Sequence, residues 1–207
     1  MSRAVGVLAL QGDFAAHAAL LRELGCEAQS VRRSRDLDAL EALVIPGGES
    51  TTLLRLMADE PWFDSLRSFH GRGGFLFGTC AGAILLARDV RGPAQPSLGL
   101  LDARIDRNAY GRQVDSFETE LDLPASGARV RAAFIRAPRF SALGAGVEVL
   151  ARHEGTPVLV REGRVWAATF HPEISADATV HRLFLAAAER PEEDEPPRIA
   201  LQRAAGR

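Results

Sequence analysis

The pentapeptide Gly78-Thr79-Cys80-Ala81-Gly82 carries the residue types for covalent chemistry. It falls between a short apolar run over 74–77, read as a buried strand, and helical spacing over 80–87. G-x-nucleophile-x-G at a strand-to-helix junction is a nucleophile elbow, here with Cys in place of Ser. So sharp a turn strains the nucleophile's backbone and projects its side chain away from the sheet. Glycines two residues to either side remove side chains that would collide across it. A helix N-terminus favours thiolate, and the amide of Ala81 is next in the chain to donate to an oxyanion. Outside such a junction a free cysteine is more often a small buried apolar residue. Cys26 lacks the junction and reads as core or surface.

A thiolate nucleophile needs a base, and the base needs an orienter. Phe170-His171-Pro172-Glu173 supplies both. His171 follows an apolar run and so emerges at the C-terminal end of a strand, where catalytic groups gather in open α/β sheets. Pro172 stiffens the chain so that Glu173 turns back toward the imidazole. His17 and His181 fall within helices, His70 at a helix end and His153 in a turn, and all four rank below His171.

Pro46-Gly47-Gly48-Glu49-Ser50-Thr51-Thr52 is a second strand-to-helix junction. Its glycines leave backbone amides bare for a ligand. It lacks the Lys of a Walker motif and is not G-x-G-x-x-G. It reads either as a tight turn with a helix cap or as an anion-binding turn that completes an oxyanion hole. Arg107 and Arg136, in Asp106-Arg107-Asn108 and Phe134-Ile135-Arg136-Ala137-Pro138, can each grip a carboxylate in two-point fashion.

The elements that position these groups follow from apolar spacing. Strands are expected at 5–10, 27–31, 43–45 and 74–77, then at 101–105, 114–121, 130–135, 147–151, 158–160 and 165–170. Helices are expected at 14–24, stopping at Gly25, at 50–57 with Ser50 or Thr51 as cap, at 61–71 opened by Pro61, at 80–87 and at 176–189. Residues 91–98 read as loop, and Glu162-Gly163 as a tight hairpin turn. This alternation implies a three-layer α/β architecture, a central mixed sheet flanked by helices. Residues 1–190 form one domain in this reading. Residues 191–207, with three prolines and four acidic residues in their first half, are expected to be a disordered tail.

Composition excludes several classes of function. Hydrophobic residues are 46% of the 207 and charged residues 25%, the balance of an ordinary globule. A net charge of −2 gives no field for non-specific nucleic-acid binding. No apolar run reaches the ~20 residues of a membrane span, and the N-terminus reads as a strand rather than a secretion signal, so a cytoplasmic protein is expected. Two cysteines make no disulfide scaffold. All 25 basic residues are Arg, which excludes a Schiff base made by this chain. No cluster has metal-ligand spacing, and neither metal nor cofactor is expected.

In this order, PGGEST, GTCAG and HPE resemble the class I, triad glutamine amidotransferases. LALQGD, IPGGESTTLLRL, FGTCAGAILLA, RNAYGRQVDSFE, FIRAP and FHPE together are similar to the glutaminase subunits of pyridoxal 5′-phosphate synthases, over residues 5–185. The resemblance implies the amidotransferase fold and a reaction. Cys80 would attack the side-chain amide of L-glutamine. His171 would take the thiol proton and later protonate ammonia, and Glu173 would orient it. Gly48 and Ala81 would form the oxyanion hole. Gly48, Glu49, Ser50, Arg107, Ile135 and Arg136 would bind glutamine. Ammonia would pass to a separate, barrel-shaped synthase subunit that combines it with ribose 5-phosphate and glyceraldehyde 3-phosphate. If the partner gates the activity, as the family implies, the two glycines make a peptide flip near Gly47-Gly48 the expected switch.

Three alternatives remain at this stage: a glutaminase serving another synthase, a thiol hydrolase with the same elbow, and a scaffold protein whose Cys is only redox-sensitive. FIRAP and RQVDSFE weigh against the first. The adjacent His-Pro-Glu weighs against the other two.

Overall fold

The computed structural model describes residues 4–107 and 116–189. Within them the chain runs β1 (Ala4–Leu8), α1 (Phe14–Glu23), β2 (Glu27–Val31), a 3-10 helix (Ser34–Ala39), β3 (Ala42–Ile45), α2 (Ser50–Leu56), α3 (Trp62–Gly71), β4 (Phe75–Thr79) and α4 (Ala81–Leu86). It continues with β5 (Ala87–Arg91), β6 (Leu101–Asp106), β7 (Phe117–Leu123), β8 (Ala128–Phe134), β9 (Arg139–Leu143), β10 (Glu148–His153), β11 (Thr156–Glu162), β12 (Val165–Ala168) and α5 (Thr179–Glu189). The start of the expected strand at 114–121, the RNAYGRQVDSFE residues 108–115 and the tail 191–207 lie outside the described residues.

Seven strands form the main sheet in the order β10-β11-β12-β4-β3-β1-β2. From β12 to β2 all pairs are parallel, and β11 and β10 add on antiparallel. Alternation along the strands sends successive side chains into two different cores. Leu8, Leu43, Ile45, Leu76, Val165 and Ala167 enter one, against Leu53 of α2, Trp62, Leu66 and Phe69 of α3, and the apolar α4. Val5, Val7, Val44, Phe77, Trp166 and Ala168 enter the other, against Ala18 and Leu21 of α1, Val180 and Phe184 of α5, and the β7–β8 hairpin. The sheet is therefore the middle of three layers, as its apolar runs predict. Fully burying each Leu or Phe contributes about 1.5–3 kcal/mol.

Some expectations need correction. β5 and β9 were not anticipated; they flank β6 in a separate three-stranded sheet. In β5 only Ala87 and Val90 are buried, and in β9 only Phe140, so neither shows a clean period of two. The hairpin between β11 and β12 pairs Glu162 with Val165, so it turns on Gly163-Arg164, one residue later than expected. His153 ends β10 rather than lying in a turn, and it stacks on Phe117 and Phe134. The cap of α2 is neither Ser50 nor Thr51. Glu49, in extended backbone, accepts from Thr52 N at 2.8 Å, while the Ser50 hydroxyl turns inward and donates to Gln95 at 2.9 Å.

The junction of β4 with α4 leaves no room for a side chain at position 82. A Cβ on Gly82 would drive into the carbonyl of Ile45 at the end of β3. Gly82→Ala is expected to force α4 off β3 and cost roughly 1–3 kcal/mol, the range for overpacking. A urea titration should show a lower midpoint with an unchanged slope.

Candidate active site

Three parallel neighbours, β3, β4 and β12, deliver their C-terminal ends to one edge of the sheet. β3 runs into Pro46-Gly47-Gly48, β4 into Cys80, and β12 into His171. Sequence-distant segments thus meet where open α/β sheets place their ligands.

Cys80 sits at φ 47°, ψ −101°, between the last residue of β4 and the first of α4. A non-glycine residue there carries a backbone cost of order 1–3 kcal/mol. Its neighbours hold it in place: its N–H donates to Ala168 O of β12 at 2.8 Å, and its carbonyl accepts from Ile84 N at 3.1 Å. Every residue of α4 is buried, so the turn cannot relax without unpacking the helix.

His171 is held at both ends. Its backbone N–H donates to Ala133 O of β8 at 2.8 Å. Its Nδ1 lies 2.7 Å from Glu173 Oε1, so Nδ1 carries hydrogen and Nε2 remains for the thiol. Burial opposes charge on this imidazole. Hydrogen bonds to Cys80 and Glu173, and their negative charge, override it and push the pKa up to about 10. Burial would likewise raise Glu173, but His17 and His171 hold it well below the ordinary carboxylate range.

His17, ranked below His171 from its place in a helix, was missed as a partner of Glu173. It belongs to α1, is fully buried, and places Nε2 3.3 Å from Glu173 Oε2. The one local signal was a histidine on the inward face of a helix, and that signal does not separate a core residue from a functional one. Gln11 was missed too. Its amide Nε2 donates to Gly47 O at 3.2 Å, and its Oε1 accepts from Glu49 N at 3.1 Å. One side chain thereby braces both sides of the Gly47-Gly48 turn. Gly47 packs directly on His171 and Cys80, where a Cβ would strike the imidazole. Gly48 has φ +126°, a conformation that excludes ordinary side chains.

The Gly47-Gly48 turn lines a cleft of about 350 Å³, within the usual range for small-molecule sites. Cys80, His171 and Glu173 meet Gly48, Glu49, Ser50, Arg107, Ile135 and Arg136 there. Ala81 is buried as the first residue of α4 and does not line the cleft itself. Arg107 Nη2 lies 3.5 Å from Glu49 Oε1. Glu49 is lowered to about 2, first by the Thr51 hydroxyl and then, against burial, by bonds from the Thr51 and Thr52 amides and the Thr52 hydroxyl. Arg136 adopts φ 44° at the cleft wall. The rim thus includes the Glu49 carboxylate and the Arg107 and Arg136 guanidinium groups, charges that complement an amino acid's ammonium and carboxylate.

The two shifted groups set a stability profile. His171 is raised above its ordinary 6.5, so its contribution is complete below pH 6.5 and fades as pH climbs toward 10. Glu173 is depressed below its ordinary 4.5, so its contribution is complete above pH 4.5 and is lost on acidification. The stability difference between the wild type and Glu173→Gln is expected to peak between pH 4.5 and 6.5 and narrow on both sides. Urea titrations across pH check this; a difference that grows steadily toward alkaline pH would contradict it.

The chain matches the SNO glutamine amidotransferase family over residues 7–190. It is 53% identical to the pyridoxal 5′-phosphate synthase subunit PdxT of a Thermus thermophilus strain, over 89% of this chain and 97% of that protein. It is 49% identical to PdxT of Deinococcus radiodurans, over 87% of this chain and 95% of that one. A solved crystal structure described as a glutamine amidotransferase superposes with a TM-score of 0.84 at 52% identity, covering 89% of this chain and 98% of that one. A chain of PurLQS from Thermotoga maritima shares the fold alone, with a TM-score of 0.71 at 18% identity, covering 90% of this chain and 99% of that one. The chain belongs to the SNO glutamine amidotransferase family.

Proposed function

We propose that this chain is the glutaminase subunit of a pyridoxal 5′-phosphate synthase. It hydrolyses L-glutamine to glutamate and ammonia and hands the ammonia to a separate, barrel-shaped synthase subunit in the cytoplasm. Residues 1–190 act as the glutaminase domain. The observation that carries this reading is the convergence of a strained Cys80 with the His171–Glu173 pair at the floor of a cleft rimmed by Glu49, Arg107 and Arg136.

The reaction follows from these positions. Cys80 and His171 form a thiolate–imidazolium pair, and the sulfur attacks the side-chain amide carbon of glutamine. The oxyanion is held by the amides of Gly48 and Ala81. His171 returns its proton to the leaving nitrogen, ammonia departs, and a glutamyl-thioester remains on Cys80. Water, deprotonated by His171, then releases glutamate and restores the thiol. Glu173 keeps the imidazole in the tautomer that presents Nε2 to sulfur. Arg107 and Arg136 take the substrate's α-carboxylate, and Glu49 its ammonium.

The Gly47-Gly48 turn is the gate in this reading. With Gly47 O held by Gln11, a trans peptide directs the Gly48 N–H to the opposite side. A flip of that one peptide switches which of the two groups faces a given side.

The test is glutamate release by the purified chain, alone and with its synthase subunit, beside Cys80→Ala. Release that rises with the partner and falls by at least about 10³-fold in the variant supports the reading, a loss typical of a removed nucleophile. Undiminished release by Cys80→Ala would refute the triad, and no release in any mixture would refute the substrate.

A further inference from the structure

The buried chemistry does not end at Glu173. Behind it lie His17 of α1 and His181 of α5, 164 residues apart in sequence and both fully buried. His17 Nδ1 and His181 Nε2 are 2.8 Å apart. On its other side His17 Nε2 faces Glu173 Oε2 at 3.3 Å and the Thr79 hydroxyl, at the end of β4, also at 3.3 Å.

Hydrogen counting fixes the tautomers. His181 is driven down to about 3, first by burial, so it is neutral. Its Nδ1 is buried with no hydrogen-bond partner among the described residues. A bare lone pair is cheaper to leave there than an N–H, so the hydrogen of His181 is on Nε2 and points at His17. His17 Nδ1 must then accept, which puts the hydrogen of His17 on Nε2, toward Glu173. The opposite assignment would set a lone pair of His17 Nε2 against a carboxylate and strand an N–H on His181.

Glu173 gives this arrangement something to do. Its Oε1 is taken by His171, whereas its buried Oε2 has no well-aligned bond among the described residues and lies beside His17 Nε2. Without that N–H, rotation about the carboxylate's terminal bond is unopposed from this side.

We propose that His17 is a positioning residue for the reaction: its Nε2–H holds Glu173 Oε2, and His181 holds His17 in the tautomer that allows it. The inference rests on the triad reading above and extends it inward. The charged or titratable groups facing this chain are His171 beside Glu173, and Glu173 and Asp177 acting on His181.

The test compares His17→Asn with His17→Gln in the full chain. Asn keeps an oxygen near the Nδ1 position, able to accept from His181, but has no donor at Nε2. Gln reaches the Nε2 position with its amide. On the free chain, the hydrogen-bonded Nδ1 proton of His171 should give a far-downfield resonance. It should be lost to solvent exchange in His17→Asn and kept in His17→Gln. With the synthase subunit present, Asn should lower kcat roughly 10- to 100-fold, as loss of an orienting partner does, with KM within about twofold. A carboxylate that loses a donor becomes easier to protonate, so the acid limb of kcat/KM should move to higher pH in Asn and stay in place in Gln.

Equal losses in Asn and Gln would overturn the proposal, as would a lower melting temperature with resonance and kcat unchanged. If His17→Asn melts too low to handle, nitrogen-15 shifts of the wild-type imidazoles decide it: hydrogen on His17 Nδ1 overturns the assignment. Should Cys80→Ala retain glutamate release, the triad reading fails, and the free-chain resonance still reports whether His17 holds Glu173.

Discussion

A carboxylate with 4% of its surface exposed is the constraint around which this molecule is arranged. An unpaired buried charge costs several kcal/mol even after relaxation. Glu173 is held well below the ordinary carboxylate range by histidines on both sides, and they come from separate parts of the fold. His171 arrives at the end of β12, pinned by β8. His17 comes from α1, on the layer that also holds α5. The three-layer packing is thus a condition of the site, because only with α1 docked on that face do both histidines flank the carboxylate. Against burial, hydrogen bonds to Cys80 and to this carboxylate in turn push the His171 pKa up to about 10.

The second constraint is steric. Cys80 is placed by a backbone conformation that costs energy, and the surrounding structure leaves it no alternative. β12 accepts its N–H, α4 is buried on every residue, and Gly82 rests on the last carbonyl of β3. Strain of this kind persists where neighbours over-determine a conformation, which is why it appears at the junction of three strands and a wholly buried helix.

The parts of this design legible in sequence were those written in short-range terms. β1, β3, β4 and β12 are apolar runs with glycine or proline close by. α1 stops at Gly25, which has φ +82°. The elbow and the His-Pro-Glu run carry their chemistry within five residues each. The parts that stayed hidden depend on partners far along the chain. β5 and β9 are recognisable only once β6 lies between them. Ser50 looks like a better cap than Glu49 until Gln95 claims its hydroxyl. The pairing of His17 with His181 spans 164 residues, and no local pattern distinguishes either from a core histidine. Gln11 sits in an unremarked loop until the Gly47-Gly48 turn folds against it.

The site divides by rigidity into a floor and a rim, and the division bears on control. Cys80, His171 and Glu173 are buried at strand ends. Gly47, Gly48, Glu49, Arg107 and Arg136 lie on connections. On the Gly47-Gly48 turn, Gln11 makes two hydrogen bonds, donating to the carbonyl of Gly47 and accepting from the amide of Glu49. Each is worth about 0.5–1.5 kcal/mol net, so rearranging the turn costs about 1–3 kcal/mol from that source. A docking partner supplies that much when its affinity differs between the two forms by roughly 5- to 150-fold. Reorganising the floor would instead expose a paired buried charge and break up α4, at a cost nearer the stability of the whole domain. In the proposed reading, regulation by a partner is therefore cheap at the Gly47-Gly48 turn and prohibitive at Cys80, His171 and Glu173, and the same glycines that give the turn its shape make it the place for control.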